Sequence, residues 1–304
     1  MILFIEQLLN GVQYGAFLFL LASGLTVVFG IMGVINLTHG TLYMVGAYAG
    51  AMTVASTGSF AAGVAAAVLG AGAYGLLAEI VVIRWLYDRD HLYQVLATLG
   101  LILFTNELVT ILVGRSPIFM EVPGFLQGSV TVFPGLAYPV MRLALIGVGL
   151  LVAGGLYFLV NHTRFGMLMR AGADDRDMVD ALGVNMRLLF LSVFGLGAVL
   201  CGLAGVMAAP LLAVEIGMGE RILITTFVVI VIGGVGSIRG AFVGAMLVGM
   251  VDSLGRAYLP QILVAMLPAS TASTLAAGLV SASTYMLMAL VLLVRPNGLF
   301  PARS

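Results

Sequence analysis

The chain has 304 residues, of which 62% are hydrophobic and only 9% are charged, and its formal net charge at pH 7 is zero. The surface of a soluble domain is roughly 25–35% charged, so this composition excludes an ordinary water-soluble globule and predicts that the solvent is lipid. With about 20 apolar residues per span, we expect an all-α polytopic membrane protein, a helical bundle of about eight or nine transmembrane segments. Residues 1–304 then form a single transmembrane domain.

Continuous apolar runs predict the segments in chain order. The runs are 8–29, 41–55, 60–83, 92–113, 139–160, 188–209, 222–235, 241–254 and 275–294. Three of them (41–55, 222–235 and 241–254) are shorter than the roughly 20 residues of a full span and adjoin glycine-rich breaks. They predict broken or re-entrant helices, which a membrane tolerates where protein or a water-filled path covers the free backbone.

The arginines predict the orientation. They gather at two short loops and at the C-terminus: Arg84 and Arg89, then Arg164, Arg170, Arg176 and Arg187, then Arg295 and Arg303. Because positive charge near short loops marks the cytoplasmic side, we expect these parts in the cytoplasm and the N-terminus outside. Segment 114–138 then lies outside, and its prolines exclude a continuous helix. Its aromatic residues could pack at the membrane interface or over a pore mouth, or form a landing surface for an external protein.

Residue usage excludes several chemistries. The chain has no lysine, which excludes a P-loop ATPase and Schiff-base or Ser-Lys mechanisms. A single cysteine, Cys201, excludes disulfides and cysteine-rich metal sites, and His39, His91 and His162 lack metal-ligand spacing. Zero net charge leaves no basic footprint for nucleic acid. We therefore expect no enzyme, no metal and no cofactor in this chain.

The polar stretch 161–189 predicts two short helices outside the membrane. Asp174 is the expected N-cap of the second helix, with Asp177 in the reciprocal position of a capping box. Met178, Val179 and Leu182 would share one apolar face, and a left-handed Gly183 would end the helix; Phe165, Leu168 and Met169 would form a similar face on the first helix. The pattern favours a knob for a soluble partner, although a loop that merely satisfies the charge rule remains possible.

A second polar element lies between Gly33 and Gly46. Asn36, Thr38 and His39 interrupt an apolar region there. They predict either a broken helix whose free backbone groups lie near a translocation path, or a turn with asparagine and threonine as caps.

Glu107, in segment 92–113, is the carboxylate expected deepest inside a span. An intramembrane acid is a functional candidate, here as a proton or sodium relay. The alternative is a packed or protonated structural acid.

Glycines recur at GxxxG spacing, which brings helices into close contact in lipid. The pairs are Gly11 and Gly15, Gly46 and Gly50, Gly236 and Gly240, and Gly240 and Gly244. These faces predict packing inside the chain, or contact with a second subunit.

Four motifs, in order and spacing, resemble those of the permeases of branched-chain amino acid ABC importers. They are INLTHGTLYMVGAYAG, TRFGMLMRAGADDRDMVDALGVNMR, VIGGVGSIRGAFVGAMLVG and RPNGLF. The match covers almost the whole chain, and the Asn-x-x-His-Gly element is similar to the LivH-type subunit more than to its LivM-type partner.

The resemblance implies a multi-pass permease of the bacterial inner membrane. Its expected partners are a second permease subunit (LivM-like, or a copy of itself), two cytoplasmic ATPase subunits that hydrolyse the ATP, and a periplasmic solute-binding protein. The implied coupling residues are Arg164, Gly166, Arg170, Ala171, Asp175, Ala181, Leu182 and Gly183. The expected translocation-path residues are Asn36, Thr38, His39, Gly40, Gly233, Gly234, Gly236 and Gly240.

The chain departs from the family pattern at three positions. Arg239 stands where proline is common, Pro301 replaces a glycine, and Thr41 stands where many members carry an acid. These departures leave the solute open, because similar permeases carry urea or short amides as well as branched-chain amino acids.

The sequence therefore predicts a permease subunit of an ATP-driven importer for branched-chain or related amino acids, working by alternating access. An ion-coupled secondary transporter or channel, with Glu107 as the coupling acid, is the alternative. An intramembrane enzyme is disfavoured, because no GxSG-type nucleophile turn accompanies the histidines.

Overall fold

A computed structural model describes residues 2–34, 36–87, 89–265 and 268–300, and these ranges form eleven α-helices and one small β-hairpin. The helices are α1 Ile2–Met32, α2 Thr38–Thr57, α3 Phe60–Val81, α4 His91–Val113, α5 Val140–His162, α6 Arg164–Asp174, α7 Arg176–Ala181, α8 Met186–Ala208, α9 Met218–Gly233, α10 Ile238–Val264 and α11 Ala269–Val294. The hairpin pairs β1 Ser129–Phe133 with β2 Leu136–Pro139. The predicted all-α polytopic architecture is confirmed.

Seven of the described helices are long and apolar enough to cross a membrane: α1, α3, α4, α5, α8, α10 and α11. The other two bundle helices fall short of that description. Helix α2 has 20 residues, several of them polar, and α9 has only 16 residues, or about 24 Å at 1.5 Å per residue.

Contacts at one end of the bundle show that α2 and α9 also carry the chain across. Arg176 of α7 bonds to the Met32 carbonyl at the end of α1, so an even number of passes lies between them. Gly236, after α9, lies against Gly30 of α1. Both contacts require α2 and α9 to cross, which gives nine passes through the bundle, in agreement with the upper predicted number.

Most described arginines lie at the end where α1 meets α7, which is called the arginine-rich end below. They are Arg84, Arg89, Arg164, Arg170, Arg176, Arg187, Arg239 and Arg295. Arg115, Arg142, Arg221 and Arg256 lie in the opposite half, and Arg303 is outside the described residues. The predicted clustering of positive charge at one end is therefore present in the fold.

Helix α1 forms the centre of the bundle. It packs against α5, α8, α9 and α10, and its residues from Gly15 to Val28 are buried. The GxxxG glycines serve this internal packing. Gly11 and Gly15 lie against the backbone of α10, and Gly46 of α2 lies against Gly202 of α8. A side chain at these positions would force the helices apart, because their backbones are in direct contact.

None of the three short apolar runs is broken internally, which differs from one of the two predicted forms. Run 41–55 belongs to a continuous 20-residue helix, and run 222–235 to a continuous 16-residue helix. Run 241–254 is not short at all, because α10 continues for 27 residues. Asp252, inside the run, forms an ion pair at 2.7 Å with Arg256, which lies just beyond the run on the next turn. Irregular backbone lies between the helices instead, at 33–34, 36–37 and 234–237.

Segment 114–138 lies at the end opposite the arginine-rich one. It contains β1 and most of β2, and Ile118 pairs with Val214 after α8 through two backbone hydrogen bonds of 2.9 Å. Phe119 and Phe125 are mostly exposed, so these rings do not close over the bundle. The segment is non-helical apart from one short turn, as predicted.

Candidate translocation and coupling site

Helix α2 begins inside the bundle rather than at its end. Its second residue, His39, lies against Gly197 in the middle of α8, and Gly197 in turn contacts Gly24 of α1. Gly24 is eight residues before the end of α1, or about 12 Å at 1.5 Å per residue. The chain after Gly33 therefore re-enters the bundle before α2 starts. This geometry agrees with the predicted break at this element.

Buried polar groups surround the start of α2. The Oδ1 of Asn36 accepts hydrogen bonds from the Thr38 backbone N–H (2.9 Å) and from the Thr38 hydroxyl, in the turn just before α2. Asn36, Thr38 and His39 are all buried. The Asn36 amide nitrogen and both His39 ring nitrogens have no hydrogen-bond partner in the structure. The predicted buried break is thus present, whereas the alternative with asparagine and threonine as caps is wrong, because Leu37 is the N-cap of α2 and no side chain caps it.

The starts of α2 and α9 meet inside the bundle. The backbone of Gly40 contacts the backbone of Gly219, and an added Cβ on Gly40 would lie 2.5 Å from the Gly219 carbonyl oxygen. The next residue, Glu220, accepts a hydrogen bond from the Asn106 side chain of α4. A carboxylate in the first turn of α9 also interacts favourably with the helix dipole.

The glycines after α9 form a tight turn at the arginine-rich end. Gly234 and Gly236 have φ angles of 103° and 80°, in the left-handed region that favours glycine. Gly233 and Gly240 touch backbone to backbone. The Phe300 N–H donates to the Gly233 carbonyl at 2.8 Å, so the RPNGLF motif covers this turn.

The structure separates the two predicted sets of path residues. Asn36, Thr38, His39 and Gly40 lie inside the bundle among α1, α2, α8 and α9. The set from Gly233 to Gly240 lies at the arginine-rich end, where α9 turns into α10. Helix α9 links the two sets, because Gly219 in its first turn lies against Gly40 and its last residue is Gly233.

The polar stretch 161–189 forms α6 and α7, two short helices as predicted. Thr163 caps α6 by accepting from the Gly166 N–H at 3.1 Å. The predicted cap of α7 is wrong by one residue: Asp174 is the last residue of α6, and Asp175 accepts from the Met178 N–H at 2.9 Å. Because α7 begins almost directly after α6, Asp174 is still part of α6 and Asp175 takes the cap position. Gly183, with a φ of 86°, ends α7 as predicted.

The apolar residues of α7 do not share one environment. Val179 is buried against the bundle, whereas Met178 and Leu182 are 62% and 77% exposed. The predicted single face is therefore wrong, because one residue anchors α7 and two remain at the surface. On α6, Phe165, Leu168 and Met169 share one face, as predicted, but this face packs on the core of the chain and is not offered to a partner.

The predicted coupling residues lie together at this end of the bundle. Gly166 is buried, with its backbone against the carbonyls of Leu159 and Val160. The other members of the set are exposed: Arg164, Arg170, Ala171, Asp175, Ala181, Leu182 and Gly183.

Arg176 joins this segment to α1, a contact that sequence reasoning missed. Its guanidinium donates to the carbonyl of Met32 and, at 3.4 Å, to that of Ile31, and it lies 5.2 Å from the centre of the Phe190 ring. A cation at the C-terminus of a helix satisfies carbonyls that have no helical partner and interacts favourably with the dipole. In the sequence, Arg176 was only one of several charges in a loop.

The predicted intramembrane acid Glu107 is exposed on α4. It lies six residues from the end of the helix at Val113, or about 9 Å. The buried acid is Glu79, which pairs with Arg84 at 3.0 Å and accepts from the Tyr87 hydroxyl at 2.7 Å. Burial raises the pKa of Tyr87, and the contact with Glu79 raises it further. The phenol therefore stays protonated and donates the hydrogen bond. Glu79 therefore stabilises the α3–α4 connection.

The nine passes, the re-entrant start of α2 and the exposed α6–α7 segment define a polytopic transport permease. The chain belongs to the family described as "Branched-chain amino acid transport system / permease component", which matches residues 7–295. The family is one of transport permeases.

Similar proteins agree with this assignment. The chain is 30% identical to the high-affinity branched-chain amino acid transport system permease protein LivH of Escherichia coli, over 97% of this chain and 95% of that protein. It is 29% identical to BraD of Pseudomonas aeruginosa, a permease protein of the same described system, over 83% and 86%. The L-arabinose ABC transporter permease protein AraH of Azospirillum brasilense is 25% identical over 73% and 64%. No solved structure matches the chain significantly.

Proposed function

We propose that this chain is a permease subunit of an ATP-driven importer for branched-chain or related amino acids in the bacterial inner membrane. Separate ATPase subunits would drive alternating access. The observation that carries the proposal is the contact of Arg176 with the end of α1. It joins the exposed α6–α7 segment to the point where the chain re-enters the bundle toward His39.

Force applied to α7 would reach the interior by a short route. Val179 and Arg176 fix α7 to the bundle and to the last turn of α1, whereas Leu182 projects from it. Beyond Met32, the chain turns at Gly33 and leads to Asn36, which bonds to Thr38 at the start of α2. A shift of α7 would therefore move the re-entrant segment and the start of α2, where the proposed path residues lie.

The proposed partners follow from the distribution of charge and exposure. We place the arginine-rich end in the cytoplasm, where two ATPase subunits would contact α6 and α7. The opposite end, with the 114–138 segment, would receive solute from a periplasmic binding protein. A second permease, LivM-like or a copy of this chain, would pack on an exposed helix such as α5, where Gly147 and Gly154 have open space around them.

The proposed function is tested by reconstitution in liposomes. The chain alone should give no concentrative uptake of L-leucine, because it lacks the lysine of a P-loop and so cannot hydrolyse ATP by that route. Addition of the second permease, the two ATPases, the binding protein and ATP should produce accumulation against the gradient. Sustained concentrative uptake by the chain alone would overturn the proposal.

Replacement of Glu107 by glutamine separates this proposal from an ion-coupled transporter. We expect uptake by the complete importer to stay within about twofold of the unchanged protein, since substitutions at exposed positions usually change free energies by about 0.5 kcal/mol or less. Uptake of radiolabelled L-leucine with and without a proton gradient is the measurement. Loss of uptake together with a loss of gradient dependence would favour the ion-coupled alternative.

A further inference from the structure

A cavity of about 220 Å³ lies between α1, α5 and the chain that follows α8, on the side away from the arginine-rich end. It is lined by Gln13, Tyr14, Phe17, Arg142, Leu145, Ala208, Leu211 and Leu212. None of these residues belongs to the coupling or path sets described above. The lining has two chemical parts: an apolar wall from all three elements, and a polar part with one guanidinium, one amide and one phenol.

The guanidinium of Arg142 is oriented but not neutralised. Its Nη1 donates to the side-chain oxygen of Asn10 at 2.7 Å, and the Tyr138 hydroxyl donates to the same oxygen at 3.1 Å. Asn10 is neutral, so it fixes the geometry without compensating the charge. Among the described residues, the ion pairs involve Arg84, Arg221 and Arg256, and none involves Arg142.

The contact with Asn10 joins α5 to α1, but it does not require a positive charge at position 142. Arg142 is the third residue of α5, where a positive charge opposes the helix dipole. Glu6 lies one helical turn before Asn10 and within electrostatic range of Tyr138, but no ion pair joins it to Arg142. Arg142 is thus a cation that borders a cavity, lies on a spanning helix and interacts unfavourably with the helix dipole. Such a cation points to an anionic ligand.

The cavity has the size of a small amino acid. A cavity of about 150 Å³ in another protein accepts benzene, which has six heavy atoms. By proportion, about 220 Å³ accommodates roughly nine heavy atoms, the number in leucine or isoleucine. Leu211 and Leu212 offer the accessible apolar surface for a branched side chain, and the buried Phe17, Leu145 and Ala208 form the wall behind them.

We propose that this cavity is a receiving site for a branched-chain amino acid, with the ligand carboxylate on Arg142. The ligand's ammonium group would donate a hydrogen bond to the side-chain oxygen of Gln13 or Tyr14. Its aliphatic side chain would contact the apolar wall. This inference rests on the proposed function and adds a residue-level site to it. A planar guanidinium suits a carboxylate because it can donate two parallel hydrogen bonds.

The site lies between the proposed solute entrance and the start of α2. The ring of Phe17 packs against the ring of Tyr43, with centroids 5.9 Å apart. Tyr43 is one helical turn after His39. A ligand in the cavity would therefore be one layer of side chains away from the re-entrant segment that the α7 contact controls.

A labelling experiment tests binding without relying on transport. Leu212, 52% exposed at the cavity, is replaced by cysteine. The native Cys201 is fully buried, and burial leaves it a poor nucleophile, so the new thiol is the reactive one in this chain. The complete importer, without ATP, is treated with a membrane-impermeant maleimide, and modification of this chain is followed by mass.

The ligand series identifies the recognised group. L-Leucine and 4-methylpentanoate, which both carry a carboxylate, should slow labelling of Leu212→Cys, and 3-methylbutylamine, which lacks one, should not. Adding Arg142→Gln should raise the L-leucine concentration needed for half protection about tenfold or more, since a charged hydrogen bond is lost. Arg221→Gln is the matched control on the same side, because Arg221 is exposed and paired with Glu215; it should leave protection unchanged.

Two results would overturn the inference. One is equal protection by L-leucine with and without Arg142→Gln, and the other is protection by 3-methylbutylamine equal to that by L-leucine. Because labelling requires no ATP, either result would leave the proposed ATP-driven transport standing. Conversely, an importer that binds L-leucine in the cavity but fails to accumulate it would count against the proposed function alone.

Discussion

Replacing Gly240 with alanine should destabilise the folded protein by about 3 kcal/mol. An added Cβ would lie 2.1 Å from the carbonyl oxygen of Gly233, so α9 and α10 would have to separate along their backbone contact. Overpacking typically costs 1–3 kcal/mol, and a backbone neighbour, which cannot rotate away, places this change at about 3 kcal/mol. The total stability of a protein is only about 5–15 kcal/mol. The melting temperature of the purified chain in detergent should fall by roughly 5–10 °C, with a lower yield of monodisperse protein.

Gly100→Ala is the matched control for this change. Gly100 lies on α4, and an added Cβ there meets nothing within 4 Å. Alanine is a better helix former than glycine by about 0.5–1 kcal/mol, so this variant should be neutral or slightly more stable. If Gly240→Ala and Gly100→Ala melted at the same temperature, the close contact between Gly233 and Gly240 would not exist in the protein.

The helices could be predicted because each long apolar run requires a span in lipid. Their ends could not be predicted as well, since helix ends depend on polar partners. The apolar run 241–254 ends just before Gly255 and Arg256, but α10 continues to Val264, with Arg256 paired to Asp252 on the preceding turn. The same local effect displaced the predicted cap of α7 from Asp174 to Asp175, because either acid satisfies the capping pattern.

The candidate sites were predictable only where they are local in sequence. The break before α2 and the exposed α6–α7 segment follow from polar residues in apolar surroundings, and both are in the fold. Contacts across the bundle left no such signal. Asn10 and Arg142 are 132 residues apart, and Arg176 and Met32 are 144 apart. No periodicity or motif joins these pairs, because the fold alone brings them together.

Replacing Leu182 with glutamate should abolish ATP-driven uptake without unfolding the chain. Leu182 is 77% exposed at the end of α7, so its side chain contributes little to the fold, and the proposed ATPase contact would cover it. Burying an unpaired carboxylate in an apolar groove costs roughly 3 kcal/mol or more, which corresponds to about a hundredfold loss of the docked state. Uptake of L-leucine, and ATP hydrolysis stimulated by loaded binding protein, should both fall by about that factor.

Two further measurements separate a docking defect from other causes. The Leu182→Met variant keeps an apolar side chain of similar volume, so it should retain most of the uptake. The melting temperature of Leu182→Glu in detergent and its affinity for the binding protein should match those of the unchanged chain, because that protein would bind at the other end. Full uptake by Leu182→Glu would show that α7 does not receive the ATPase. If Leu182→Met lost as much uptake as Leu182→Glu, Leu182 would have a role other than apolar contact with the ATPase. The proposed route from α7 through Arg176 to α1 would then lack its contact with the ATPase.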